Sequence, residues 1–290
     1  MNLPSVDLWL LWTGDCSDDV NRAWLSPQEL MRGERYRSPA KRRQFLLSRM
    51  LGRQIISCSR DVLPEQIEWP TTGVPHLRSD SRELPLSMSL SHAGEFLALA
   101  VSSPDVGLGV DLEVLDSQLR VGPLAGLALT QHERLLLAEL PEPDQARWIQ
   151  QVWTAKEAVL KSLELETPPE ISSFDLSERM VHHLLTLGEL RGFEAASIVF
   201  TPFAANFFPQ SPGSGWEIEM SSGTSQSLVG GLAIRFRENR EPVPRFERRW
   251  RVHCTDSTPE LTEVQRGGFP TGIRRLRLRV FAEQSLPGEE

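Results

Sequence analysis

Lysine is nearly absent from this 290-residue chain. It stands only at Lys41, Lys156 and Lys161, and arginine supplies the rest of the 31 basic side chains. A solvated surface accepts either cation, so the two lysines that flank Glu157 in "VWTAKEAVLKS" call for a reason specific to an ammonium group. Cysteine is scarce too: Cys16, Cys58 and Cys254 are isolated, with no CxxC pair. That excludes a disulfide frame or a thiolate zinc site and points to a reducing compartment, the cytoplasm. No apolar run reaches the roughly 20 residues that a membrane helix needs. The opening "MNLPSVDLWLLWTGD" has acids at Asp7 and Asp15 and no basic n-region, so it reads as a first strand and not as a signal peptide.

What is present is ordinary globular composition, 40% hydrophobic and 24% charged at 32.7 kDa, enough for one large or two medium domains. The net charge is −8, yet residues 235–280 hold twelve arginines against six acids. Such a basic segment is either a solvated face or a docking surface for an acidic partner. It carries no nucleic-acid motif, and no nucleic acid is expected as partner.

Strands are expected at 6–12, 86–92, 96–102 and 107–115. Helices are expected at 41–57, at 129–140 with Thr130 as cap and Glu133 three residues on, and at about 145–163. A hairpin is read over 215–236, turning at Ser221-Ser222-Gly223, and one further alternating strand over 272–281. The layout of 86–103, an alternating strand, a short turn and an apolar strand, returns in 215–236. The expected fold is therefore α+β, built as two pseudo-symmetric α/β halves, residues 1–106 and 107–236. Residues 237–290 follow as an appended basic extension.

Three groups of residues carry possible chemistry. In "GVDLEVL", Asp111 and Glu113 are two apart on a strand and project to one face, with Val110, Leu112 and Val114 on the other. Adjacent carboxylates repel unless a cation shares them, and a hard divalent ion with oxygen ligands would do so. An edge strand with two solvated acids is the plainer alternative. On the third helix, Trp153, Glu157 and Lys161 share a stripe beside the apolar stripe Val152, Ala155, Val159 and Leu163. Glu157 and Lys161 form either a helix-stabilising pair or a site for metal and phosphate. Ser91 and His92 close a strand before Gly94, either as a satisfied turn or as donors to an anionic oxygen.

The ordered set is more specific than its parts. Ser91-His92, then Gly109-Val110-Asp111-Leu112-Glu113, then Trp153-Thr154-Ala155-Lys156-Glu157-Ala158-Val159-Leu160-Lys161 resembles the Sfp-type 4′-phosphopantetheinyl transferases. That family carries a (V/I)G(V/I)D-x-E block and a W(S/T/A)xKE(S/A)xxK block at this separation. The resemblance runs from about Trp24 to Phe236.

It implies an enzyme that moves 4′-phosphopantetheine from coenzyme A to a serine of an acidic apo carrier protein and releases 3′,5′-ADP. Asp111, Glu113 and Glu157 would hold Mg2+. Lys161 would pair with phosphate oxygens, with Ser91 and His92 beside it, and Glu157 or a water it holds would act as base. Glu133 falls where the family often has a further acid. In "KRRQF" and its continuation, Arg43 and Arg49 are expected on the 3′-phosphate, with Arg53 in the same basic helix. A monomer is implied, and no membrane partner. One departure stands out: Val74 replaces the lysine of the family's Gly-Lys-Pro, leaving His76 or Arg78 as substitutes. A non-catalytic carrier-binding relative and an unrelated magnesium-dependent phosphate-ester enzyme are the alternative readings.

Overall fold

The computed structural model describes residues 5–13, 22–60, 62–69, 78–79, 82–83, 86–104, 106–116, 118–165, 169–176, 185–186, 195–200, 216–219, 225–236, 250–257 and 273–282. In chain order its elements are β1 (Ser5–Trp12), α1 (Pro27–Glu34), α2 (Pro39–Arg60), β2 (Ile67–Glu68), β3 (Arg78–Ser79), β4 (Arg82–Glu83), β5 (Ser87–Ala93), β6 (Phe96–Ser102) and β7 (Val106–Val114). There follow α3 (Val121–Ala128), α4 (Gln131–Glu139), α5 (Glu142–Leu163), β8 (Leu185–Thr186), β9 (Ala195–Phe200), β10 (Trp216–Glu219), β11 (Ser225–Phe236), β12 (Trp250–Ser257) and β13 (Ile273–Ala282). The mixed α and β composition expected from the sequence is thus what the chain adopts.

One five-stranded sheet has the order β12-β13-β1-β6-β5, and α2 packs on it. Phe45, Leu46, Leu47, Met50, Leu51, Ile55 and Ile56 of α2 meet Trp9, Met88, Leu97, Leu99 and Val101 of the strands, all buried. Each such side chain contributes roughly 1.5–3 kcal/mol over leaving it exposed, several times what an exposed ion pair contributes. The apolar face of α2, and not its arginines, fixes this layer.

The strand expected over 272–281 is present as β13, and it lies beside β1 from the opposite end of the sequence: Val6 faces Leu278 and Leu8 faces Leu276. A second strand, β12, pairs with β13 in turn. Residues beyond 237 therefore complete the first sheet.

A second sheet centres on β11, which pairs with β7, β9 and β10. The hairpin of the sequence reading is β10 and β11; its turn residues lie outside those described. The two sheets meet along β5 and β7, where Val110 N donates to Ser89 Oγ at 2.9 Å and Ser87 Oγ donates to the Val106 carbonyl. Helix α5 begins earlier than its periodicity predicts. Pro143 sits in the first turn, where its missing N–H has no intrahelical acceptor, so it starts α5 instead of merely ending α4.

Candidate active site

Two glycines set α5 directly on the second sheet. A Cβ on Gly109 of β7 would fall 1.7 Å from the Ala158 carbonyl oxygen, and one on Gly231 of β11 would fall 2.6 Å from that of Thr154. No other residue type permits this approach. Gly231 is the register partner of Asp111, so the close contact and the acid strand belong to one ladder. Asp111 follows Gly109 on the same face of β7, and the half-buried stripe Trp153, Glu157 and Lys161 runs along α5 beside it.

Asp111 is 6% exposed and lies at the seam of the two sheets. Its Oδ1 accepts from Lys161 Nζ at 2.5 Å and from Ser91 Oγ at 2.8 Å. Lys161 Nζ also donates to the Val110 carbonyl at 3.2 Å and to Ser91 Oγ at 3.4 Å. The second oxygen, Oδ2, is buried with no hydrogen-bond partner. An ionised oxygen left so costs several kcal/mol.

Burial pushes the Glu113 carboxyl above its usual range, with Asp111 adding to the push. A hydrogen bond from Trp153 and the charge of Lys161 pull it back, and Glu157 adds a smaller push. Glu157 is raised likewise by burial, opposed by Lys161 and reinforced by Asp111. Two carboxyls raised by burial and by the charge of Asp111, beside an orphaned Asp111 oxygen, call for more positive charge than Lys161 supplies. Among the described residues, no group of three or more histidine, cysteine, aspartate or glutamate side chains has its donors gathered for one ion. Oxygen donors, excess negative charge and the bare Oδ2 fit a hard divalent cation.

His92 is exposed at the end of β5, just before the tight turn in which Gly94 has φ 56°. Arg43 donates from Nη2 to the Thr13 carbonyl at 2.9 Å, and Gln44 donates to that of Gly94 at 2.8 Å, so this end of α2 lies against the Ser91-His92 turn. Arg49 lies farther along α2, its guanidinium 4.5 Å from the Trp69 ring and 5.4 Å from Phe45. Burial, more than any neighbouring charge, pulls it down to about 10. Arg53 does not share that role. It is buried in a bidentate pair with Glu29 at 2.8 and 2.7 Å.

The sequence reading missed Arg32. Its guanidinium lies 5.5 Å over Phe45, and its Nη1 is buried without a hydrogen-bond partner. The signal was Ser26-Pro27-x-Glu29, a capping box that starts α1 and puts Arg32 in its last turn. Residues 70–77, with Val74 and His76, lie outside the described residues.

Glu133 stands apart from the acid cluster. With Thr130 it forms the capping box of α4, and it is ion-paired to Lys156 at 2.6 Å with both side chains 0% exposed. Burial lowers the Lys156 ammonium below its ordinary range, while the hydrogen bond and charge of Glu133 oppose that fall.

The comparisons with known proteins place the class of molecule. Residues 107–206 match the family model described as the 4′-phosphopantetheinyl transferase superfamily. A Synechocystis protein provisionally named as a 4′-phosphopantetheinyl transferase is 30% identical over 162 residues, covering 55% of this chain and 65% of its own. The 4′-phosphopantetheinyl transferase HetI of Nostoc is 33% identical over 142 residues, 48% of this chain and 60% of its own length. AcpT of Escherichia coli, also named a 4′-phosphopantetheinyl transferase, is 32% identical over 139 residues, 47% of this chain and 67% of AcpT. The chain thus spans less than two thirds of the first two relatives. It belongs to the 4′-phosphopantetheinyl transferase superfamily.

Proposed function

We propose that this chain is an Sfp-type transferase that moves 4′-phosphopantetheine from coenzyme A to a serine of an acidic apo carrier protein. The observation that carries the reading is the seam between β5, β7 and α5. There Asp111 has a bare Oδ2 and is bonded through Oδ1 to Lys161, and burial and the Asp111 charge push up the carboxyls of Glu113 and Glu157. Asp111, Glu113 and Glu157 would hold Mg2+, which supplies charge to a pyrophosphate and its leaving oxygen.

The chain's own residues do the rest. Lys161 sits 2.5 Å from Asp111 Oδ1 and is one-third exposed, so it can exchange its long 3.4 Å contact with Ser91 Oγ for a phosphate oxygen, while Ser91 fixes the carboxylate from the other side. His92 faces the phosphates from the exposed end of β5, and Arg43 and Arg49, with Arg32, offer cations toward the 3′-phosphate. Glu157, or a water it holds, takes the proton at the carrier serine Oγ. That oxygen then bonds to the β-phosphorus of coenzyme A, and the bond to the pyrophosphate bridge breaks to release 3′,5′-ADP. Positioning and charge neutralisation account for most of the acceleration in phosphoryl transfer.

As wider parts of the same reading, the protein is a cytoplasmic monomer of two pseudo-symmetric halves, 1–106 and 107–236, the first sheet being extended by β12 and β13 of residues 237–290. In support, each of the two sheets carries one 22-residue helix, α2 and α5.

The test is mass spectrometry of an apo carrier incubated with coenzyme A and magnesium. The native chain should add the phosphopantetheine mass, and Asp111→Ala and Glu157→Ala should abolish it. Undiminished modification by both variants rejects the site.

A further inference from the structure

Lys156 takes no part in the chemistry above, yet its side chain is fully buried and fully hydrogen-bonded. Its ammonium has three N–H groups and uses all three: on Glu133 Oε2 at 2.6 Å, on the Ala128 carbonyl at 2.9 Å and on the Ile171 carbonyl at 3.2 Å. The acceptors come from three segments, the first turn of α4, the end of α3 and a 3₁₀ turn at Ile171–Ser173. Phe174 lies with its ring 5.2 Å away. Glu133 is equally spent: Oε2 also accepts from Thr130 N at 2.8 Å, and Oε1 accepts from Leu176 N at 2.9 Å. A planar guanidinium could not meet three acceptors disposed around one point, so only lysine fits.

We infer that Lys156 and Glu133 are positioning residues. Their buried contact sets the rotation of α5 about its axis and ties α3 and α4 to it, and so fixes where Glu157 stands against Asp111. The neighbours support this. Glu157 is the next residue along α5, and the Gly109 and Gly231 contacts set how near the helix stands to the sheet, so the Lys156 contact is left to set its rotation. Helix α3 is joined to the acid strand only through residues 115–120. That link is itself held to α5 where Asp116 N donates to Gln150 Oε1 at 3.0 Å and Gln150 Nε2 donates to the Asp116 carbonyl at 3.2 Å. Ile149 and Val152 of α5 pack on Ala125, Ala128, Leu129 and Leu137, but that apolar contact is non-directional, and the Lys156 bonds are what set the angle at this point of the helix.

The inference rests on the transferase reading, and the experiment separates the two. The full chain is compared with Lys156→Met, Lys156→Arg, Glu133→Gln and the double variant Glu133→Gln/Lys156→Met. Thermal unfolding, coenzyme A affinity by calorimetry in magnesium, and kcat and KM with apo acyl carrier protein are measured. Lys156→Met and Glu133→Gln each leave one buried charge unpaired and should melt lower; the double variant removes both charges and should regain stability. If the contact positions Glu157, the double variant still turns over about a hundredfold more slowly than native, as an ångström-scale misplacement costs. Coenzyme A affinity should fall less than kcat does, because Arg32, Arg43 and Arg49 are carried by α1 and α2 and not by α5. Lys156→Arg should not rescue kcat.

A double variant that recovers native kcat together with native stability overturns the inference, since the pair is then structural only. Native turnover in Lys156→Met or in Lys156→Arg overturns it as well. If the native chain labels no carrier, the transferase reading fails by itself. The positioning claim is then read from magnesium affinity, and equal values for the native chain and the double variant defeat it.

Discussion

At the scale of single residues, the outstanding feature is a carboxylate with one oxygen oversupplied and the other bare. Asp111 Oδ1 holds a lysine and a serine, and Oδ2 holds nothing. Asp111→Asn keeps the shape and removes the charge that a divalent ion would need. Transfer should fall about 10²–10³-fold, as when one charge-stabilising group is lost. The unfolding midpoint should move little, because the same change relieves a crowded acid cluster. Comparing initial rates with melting curves checks both halves of the prediction. That Asp111 and Lys161 would stand together was legible in the sequence because each is an oddity of type: one of two paired acids on a strand, and a lysine in an arginine-rich chain. Lys156 was not legible. Its three acceptors come from residues 15 to 28 positions away, a juxtaposition that no local pattern encodes. Arg53 misled for the opposite reason. It reads as one more basic residue on α2, but Glu29, 24 positions earlier, claims it.

At the scale of elements, α5 is held by absence of side chain. Gly109→Ala would put a methyl group 1.7 Å from a main-chain oxygen that belongs to the helix and cannot rotate away. The helix must lift, at a cost near the top of the roughly 1–3 kcal/mol typical of overpacking, or above it. Because α5 carries Glu157 and Lys161, transfer should be lost before the fold is. Far-ultraviolet circular dichroism near native with kcat strongly reduced is the expected pair of readings; unaltered kcat would refute the dependence. Most elements followed from periodicity and caps. Thr130 starts α4 as expected, and the apolar stripe of α5 is buried throughout. Helix α3 escaped notice because Val121–Ala128 is short and holds Gly122, Pro123 and Gly126, poor helix formers.

At the scale of the molecule, the basic segment is part of the architecture. Removing residues 237–290 strips β1 of seven register pairs with β13 and leaves its backbone groups open along that edge. The truncated chain should melt lower and lose coenzyme A and carrier binding together. Unchanged melting with only the carrier KM raised would instead assign the segment to docking. Alternation marks β13 in the sequence, but its neighbour in the sheet depends on tertiary pairing that spacing does not encode. Ligation offers a second test at this scale. If Mg2+ and coenzyme A bind the folded chain alone, a hundredfold excess over Kd adds about 2.7 kcal/mol of stability. Asp111→Asn should forfeit most of the magnesium share, measured by differential scanning fluorimetry.

The partnership of β1 with β13 also bears on how the protein comes off the ribosome. Strand β1 emerges before β13 and waits for it before their sheet can close, so the nascent polypeptide carries an unsatisfied edge while the residues between them are made. Contacts that distant in sequence slow maturation and lengthen exposure to aggregation. Chaperone capture during translation should therefore persist until β13 clears the exit tunnel.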